Sequence, residues 1–239
     1  MRRWSSAART ATGAAVAVAH LAAAPADAQA QRLPRLEPRA ARFWVGAAVA
    51  LAATAALDRT LRDAALAHRS GTLDDLARVG NALGTGHDIV PALAVSYVAA
   101  RLAHERRWAD ATLRIAAGYA TANVVESALK GAAGRERPFV SGDPWRFHPF
   151  TTNGDYHSLP SAHVTHASAI AAGLAEYEGG KPWLAAAGYG AVGLVAWQRV
   201  YADQHWTSDA TAGAVIGTAS AKTVVRWLER RGERRAGAP

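Results

Sequence analysis

The chain has 239 residues, enough for one large domain or two small ones with a sizeable core. With 50% hydrophobic and 19% charged residues a wholly disordered chain is excluded, and the absence of cysteine excludes disulfide scaffolds, zinc fingers, iron–sulfur sites and thiol nucleophiles. The net charge is +8, but no nucleic-acid motif accompanies it. The basic residues gather at the extreme N-terminus, at Arg101–Arg107 and between Lys222 and Arg235; the last run reads as a solvated helix end or an anchor on anionic lipid. Sixty alanines make up about half of the apolar count, so large aliphatics are thin, mean hydropathy is −0.05, and helix is favoured over strand.

In chain order, residues 1–30 read as an export signal: Arg2, Arg3 and Arg9 precede the apolar TATGAAVAVAHLAAA, and small residues offer cleavage after Ala28 or Ala30. Residues 31–41, with two prolines, read as a linker into a helical domain over 42–230, and 231–239 as a basic tail. Six helical segments are expected: Phe43–Leu57, Asp88–His104, Ala109–Lys130, Ala162–Tyr177, Pro182–Gln198 and Trp206–Glu229. A short amphipathic piece is expected near Leu73–Val79, where Ser70 or Thr72 can cap and Asp74 and Asp75 suit the helix dipole. From Gly131 to Pro160 a structureless loop of about thirty residues is expected, a length usually functional in a compact domain. The predicted fold is all-α, an up-and-down bundle of about six helices with the active site at one end.

The longest charge-free run, Pro182–Gln198, falls just short of a membrane span, and the shorter runs are assigned to buried core helices. Against that, Trp44, Trp108, Trp183, Trp206 and Trp227 stand at segment ends as an interfacial belt would, and the basic stretch 101–107 and the basic tail fall on one side of the bundle. Membrane-embedded and soluble periplasmic placements both stay open.

Three clusters carry chemistry. Lys130, Arg137 and Pro138 lie at the end of the third expected helix; Pro160, Ser161, Ala162 and His163 open the fourth; Arg199, His205 and Asp209 span the junction of the fifth and sixth. Helices three and five run towards one end and four and six run away, so topology brings all three clusters to one rim. This set suits a phosphate. Lys130, Arg137 and Arg199 supply charge and N–H donors, Ser161 a hydroxyl, and the amides of Ala162 and His163 a helix N-terminus. His205 and Asp209, four apart, share a helix face, so Asp209 can fix the imidazole tautomer and leave the other nitrogen free to attack; His163 can protonate the leaving oxygen. A metal held by His166 with His157, Asp203 and Asp209 is disfavoured by three cations in the same site.

These residues resemble the tripartite signature of the type 2 phosphatidic acid phosphatase superfamily, which includes bacterial class A acid phosphatases and vanadium haloperoxidases. KxxxxxxRP is matched by Lys130, Arg137 and Pro138; PSGH appears with Ala162 in place of Gly; SRxxxxxHxxxD appears with Gln198 in place of Ser. The resemblance implies hydrolysis of a phosphomonoester without metal or cofactor. Lys130, Arg137, Ser161, Ala162 and Arg199 would bind phosphate, His205 would form a phosphohistidine with Asp209 behind it, and His163 would serve as acid and base. The implied partner is a phosphorylated lipid, an isoprenyl diphosphate or a small phosphoester, met in the cell envelope with the site facing the periplasm or exterior. A soluble broad-specificity acid phosphatase, a vanadate-dependent haloperoxidase and an inactive phosphate-binding module are the alternatives.

Overall fold

The computed structural model describes residues 38–177, 179 and 181–236; the export signal and all but the last four linker residues lie outside them. The described chain is all-α. It forms α1 (Pro38–Ala67), α2 (Gly71–Gly84), α3 (Gly86–Leu102), α4 (Arg106–Ala133), the single turn α5 (Pro138–Ser141), α6 (Ala162–Tyr177), α7 (Pro182–Tyr201) and α8 (Thr207–Ala236), with a 3-10 turn at Gly154–Tyr156.

Several expectations are corrected. First, α1 starts inside the expected linker, at Pro38, and runs to Ala67, because Asp58, Arg59 and Arg62 do not end it: each finds a partner elsewhere in the fold. Second, the short piece near Leu73–Val79 is a 14-residue helix, capped as expected by Ser70, whose hydroxyl accepts from the Leu73 amide at 3.4 Å. Third, the 131–160 stretch is not structureless. Gly134 ends α4 in the left-handed conformation at φ 58°, where a side chain would strike the His148 carbonyl. Backbone bonds from Glu136 to Arg146 (3.0 Å) and from Ser158 to Arg135 (2.9 Å) then fold the loop onto itself. The last helix also runs past its expected end at Glu229, since α8 continues through Ala236.

The alanine bias explains the packing. α6 lies between α7 and α8 on one side, through Val164, Ala167, Val192, Val195 and Ala210, and meets α4 and α8 through Tyr119, Ala122, Ala169, Ala172 and Ala221 on another. Small side chains let the backbones approach. A Cβ at Gly213 would lie 2.6 Å from the Ser161 carbonyl oxygen, and one at Gly217 would lie 2.3 Å from that of Thr165, so α8 rests directly on α6. One turn before Gly213 on the same face stands Asp209, whose carbonyl accepts from the Ser161 amide at 3.0 Å. The glycine stripe thus sets the register of two of the three clusters.

α1, α4 and α7 run towards the end that carries those clusters, α3, α6 and α8 run away, and α2 lies along the last turns of α7, where Tyr201 donates to Asp74 at 2.6 Å. The α1 segment, expected as a short core helix, is instead long and apolar enough to cross a membrane, with a mean hydropathy of 1.6 over its best window; only Ala47 and Asp58 of its residues are buried. Trp44, Trp108, Trp183 and Trp227 are exposed, as a belt requires. Trp206 is not: it is wholly buried, and its indole N–H donates to the Glu136 carbonyl at 3.0 Å.

Candidate active site

Lys130 sits in the last turn of α4. Its ammonium donates to the Glu126 carboxylate one turn earlier and to the Pro160 carbonyl, which ties α4 to the start of α6. Arg137, just before α5, donates through Nε to the Gly154 carbonyl (3.0 Å) and through Nη1 to the carbonyl and side chain of Gln204 (3.2 and 3.3 Å). Arg199, in the last turn of α7, donates through Nη1 to Asn81 at 3.2 Å. Gln198, where the family signature has Ser, is buried beside it and accepts from the same Nη1 at 3.5 Å. Five buried side-chain atoms have no hydrogen-bond partner among the described residues, and two of them, the Nε of Arg199 and the hydroxyl of Ser161, belong to the three clusters; the others are Glu136 Oε2 and the hydroxyls of Ser168 and Thr207. Buried polar groups are nearly always satisfied, so the donors of Ser161 and Arg199 are open to an acceptor from outside the chain. Ala162 and His163 open α6 in helical geometry, and the first amides of a helix lack intrahelical acceptors.

His205 lies in the turn between α7 and α8, its amide bonded to the Arg199 carbonyl at 3.2 Å. Its Nδ1 is 2.7 Å from the Ser158 carbonyl oxygen and 3.8 Å from Asp209 Oδ2. The tautomer expected to be fixed by Asp209 is therefore fixed by a backbone carbonyl, with Asp209 behind it at electrostatic distance. Nδ1 carries the proton, and Nε2 keeps its lone pair. Asp209 itself, fully buried, accepts from the Ser158 hydroxyl (2.5 Å), the Trp206 amide (2.9 Å) and Arg135 Nη1 (2.6 Å).

Burial holds the His205 imidazole down to about 4, against the pull of Asp209 and with help from Lys130 and Arg137. His163 is held down to about 3, by burial first and then by Arg199, His205, His166 and Lys130. Both rings are neutral bases near pH 7. Burial also lowers Arg137, opposed by Asp209 and Asp155.

The structure brings together Lys130, Arg137, Ser161, Ala162, His163, Arg199, His205 and Asp209. It separates the residues of the metal alternative: His157 meets the Thr151 carbonyl (2.9 Å), His166 meets Asn123 (2.8 Å), and Asp203 meets Arg62 (2.6 and 2.8 Å). No cluster suited to a metal ion occurs among the described residues. Sequence reasoning missed Asp58, Glu126, Arg135 and Ser158, which support the site from behind. Arg135 alone carried a signal, standing two residues from Arg137 in GRERP.

Residues 111–233, just over half of the chain, match the family model of the PAP2 superfamily. The chain belongs to this superfamily. It is a PAP2 phosphatase, and the match contains every residue from Lys130 to Asp209 while leaving α1, α2 and α3 outside. Two solved structures share its fold. One is Aquifex aeolicus LpxE, at 20% identity and a TM-score of 0.58, covering 71% of this chain and 95% of that one. The other is the first transmembrane PAP2 type phosphatidylglycerolphosphate phosphatase from Bacillus subtilis, at 19% identity and a TM-score of 0.62, covering 80% and 96%. No curated protein matches the sequence significantly.

Proposed function

We propose that this PAP2 phosphatase hydrolyses a lipid phosphate at a membrane surface through a phosphohistidine on His205, without a metal. Lys130, Arg137, Arg199, Ser161 and the first amides of α6 hold the phosphoryl oxygens. Nε2 of His205 attacks phosphorus in line, the N–P bond forms as the ester P–O bond breaks, and the departing alkoxide takes a proton from His163. Water then gives a proton to His163 and attacks phosphorus; the N–P bond breaks and phosphate leaves. A phosphate dianion among three cations offsets their field and restores proton affinity to His163, so the acid is made by the substrate. Charge stabilisation by fixed donors supplies most of the acceleration.

The observation that carries this reading is the pair of unpartnered buried donors, Ser161 Oγ and Arg199 Nε, in the same site as an imidazole whose other nitrogen is already committed. The lipid assignment rests on α1 and on the transmembrane phosphatidylglycerolphosphate phosphatase among the fold's neighbours. On this reading the enzyme sits in the membrane, with the site towards the periplasm or exterior. Acid quench with labelled substrate is expected to trap phosphate on His205, and His205→Ala to lower kcat at least about a thousandfold while vanadate, a mimic of five-coordinate phosphorus, still binds. Phosphate trapped on a serine or aspartate refutes the mechanism, and release of the protein from membranes by carbonate refutes the lipid setting.

A further inference from the structure

α1 lies outside the family-matched region and is largely exposed, yet it carries Asp58, a carboxylate of zero exposure. Asp58 accepts from the Ser208 amide (2.8 Å), the Ser208 hydroxyl (2.6 Å) and Arg135 Nη2 (2.9 Å). Through Nη1 the same arginine donates to Ser208 (2.7 Å) and Asp209 (2.6 Å). One helical turn on, Arg62 makes a two-pronged pair with Asp203 at 2.6 and 2.8 Å. Asp203 needs that grip, because it is held at φ 59°, a left-handed conformation that is strained for a residue with a side chain. Between Asp203 and Ser208 lie only Gln204, His205, Trp206 and Thr207. The guanidinium carbons of Arg62 and Arg135 stand 5.7 and 5.8 Å from the Trp206 ring, so the segment is also fixed through the indole next to His205.

We propose that α1 is a positioning element of the reaction, in which Asp58 and Arg62 grip the two ends of the His205 segment and so set the aim of the nucleophile. The inference rests on His205 being the nucleophile. Asp58 touches neither substrate nor His205; it acts through Arg135 and Ser208. The helix that crosses the membrane then sets the geometry of the reacting nitrogen as well as tethering the enzyme.

The test uses the full-length enzyme in detergent micelles with p-nitrophenyl phosphate. Asp58→Asn is expected to lower kcat about 30- to 100-fold, the range a small misplacement of a reacting group produces, with KM and vanadate inhibition changed less than about threefold. Arg135→Lys is expected to fall similarly, and the double variant no further, because the two residues act as a unit. Arg59→Ala is the control: it removes an exposed pair with Asp143 on the same turn of α1 and leaves turnover unchanged. Wild-type kcat in Asp58→Asn overturns the proposal, as does a loss carried by KM or one that vanishes on cooling below a lowered Tm. If Asp58→Asn does not fold, Arg62→Gln makes the same test from the half-buried end, with an expected drop in kcat of about fivefold at constant KM; no change there overturns the proposal. An active His205→Ala refutes the underlying mechanism, whereas an inactive His205→Ala beside a fully active Asp58→Asn refutes the clamp alone.

Discussion

Two sides of the site are built from the same residue types in different proportions. Where α1 meets the start of α8, Arg135 faces two fully buried carboxylates, Asp58 and Asp209, and also donates to Ser208 and the Pro144 carbonyl. Where the ends of α4 and α7 converge, Arg137 and Arg199 hydrogen-bond, among the described residues, only neutral oxygens, and Arg199 Nε bonds none. Lys130 stands between these cases, sharing its charge with Glu126. An arginine saturated by carboxylates is scaffold. An arginine with neutral partners still has charge to offer an incoming anion.

Removing the two kinds of arginine should therefore do opposite things. Arg135→Leu strands Asp58 and Asp209 in the interior and is expected to cost about 3–5 kcal/mol of stability. Arg199→Leu removes a buried charge that no carboxylate balances, so its effect on stability is expected to stay within about 1 kcal/mol, while kcat/KM falls about 100- to 1000-fold through loss of a donor to the transferring phosphoryl group. Thermal melts and phosphatase assays on both variants check this. Equal losses of Tm would erase the distinction between scaffold and cradle.

The convergence of the proposed cradle residues was legible in the sequence and the scaffold behind them was not, for a physical reason. Lys130, Arg137, His163, Arg199, His205 and Asp209 sit at helix ends in fixed spacing, so helix direction alone sends them to one rim. The up-and-down order of the six longer segments likewise follows from hydrophobic runs broken by polar turns. Asp58 reads instead as the polar end of an apolar helix, because nothing local reveals a partner 77 residues away. Ser158 contributes a carbonyl as well as a hydroxyl, and a backbone acceptor leaves no trace in residue type. The length of α1 was hidden for the same reason: its charged residues look like a stop until their partners on other elements are known.

The same contrast sets the pH response. His205 is buried and its neighbours on the cradle side are cations, so its imidazole is held down to about 4 rather than near the 6.5 of a free histidine. Its neutral form is thus favoured by folding. The associated stability is complete above about pH 6.5 and is lost as pH falls towards 4, where the unfolded chain binds the proton first. Nitrogen NMR of the free enzyme, with the His205 signal assigned by its loss in His205→Asn, should show titration near 4. Arg137→Gln should move that midpoint up only slightly, since burial is the larger cause. Titration near 6.5 would mean that the site is wet and that the cations do not face the ring.

The smallest expected effect concerns the backbone donors on the cradle side. The family signature has glycine where this chain has Ala162, and an added methyl would be costly if the position required a left-handed backbone. It does not: Ala162 is the first residue of α6 and has helical geometry, and the residues with positive φ that carry side chains are His104, Phe150 and Asp203 among those described. Alanine keeps the amide, so a phosphate loses no donor. Ala162→Gly therefore adds freedom mainly to the unfolded chain and should lower stability by about 0.5–1 kcal/mol, with kcat/KM within about threefold of the parent. Paired melts and assays on the two proteins measure both quantities. A gain in stability together with a gain in kcat/KM would show that the methyl strains the loop, and that the approach of the α6 amides to phosphate is tighter than the helical start of α6 implies.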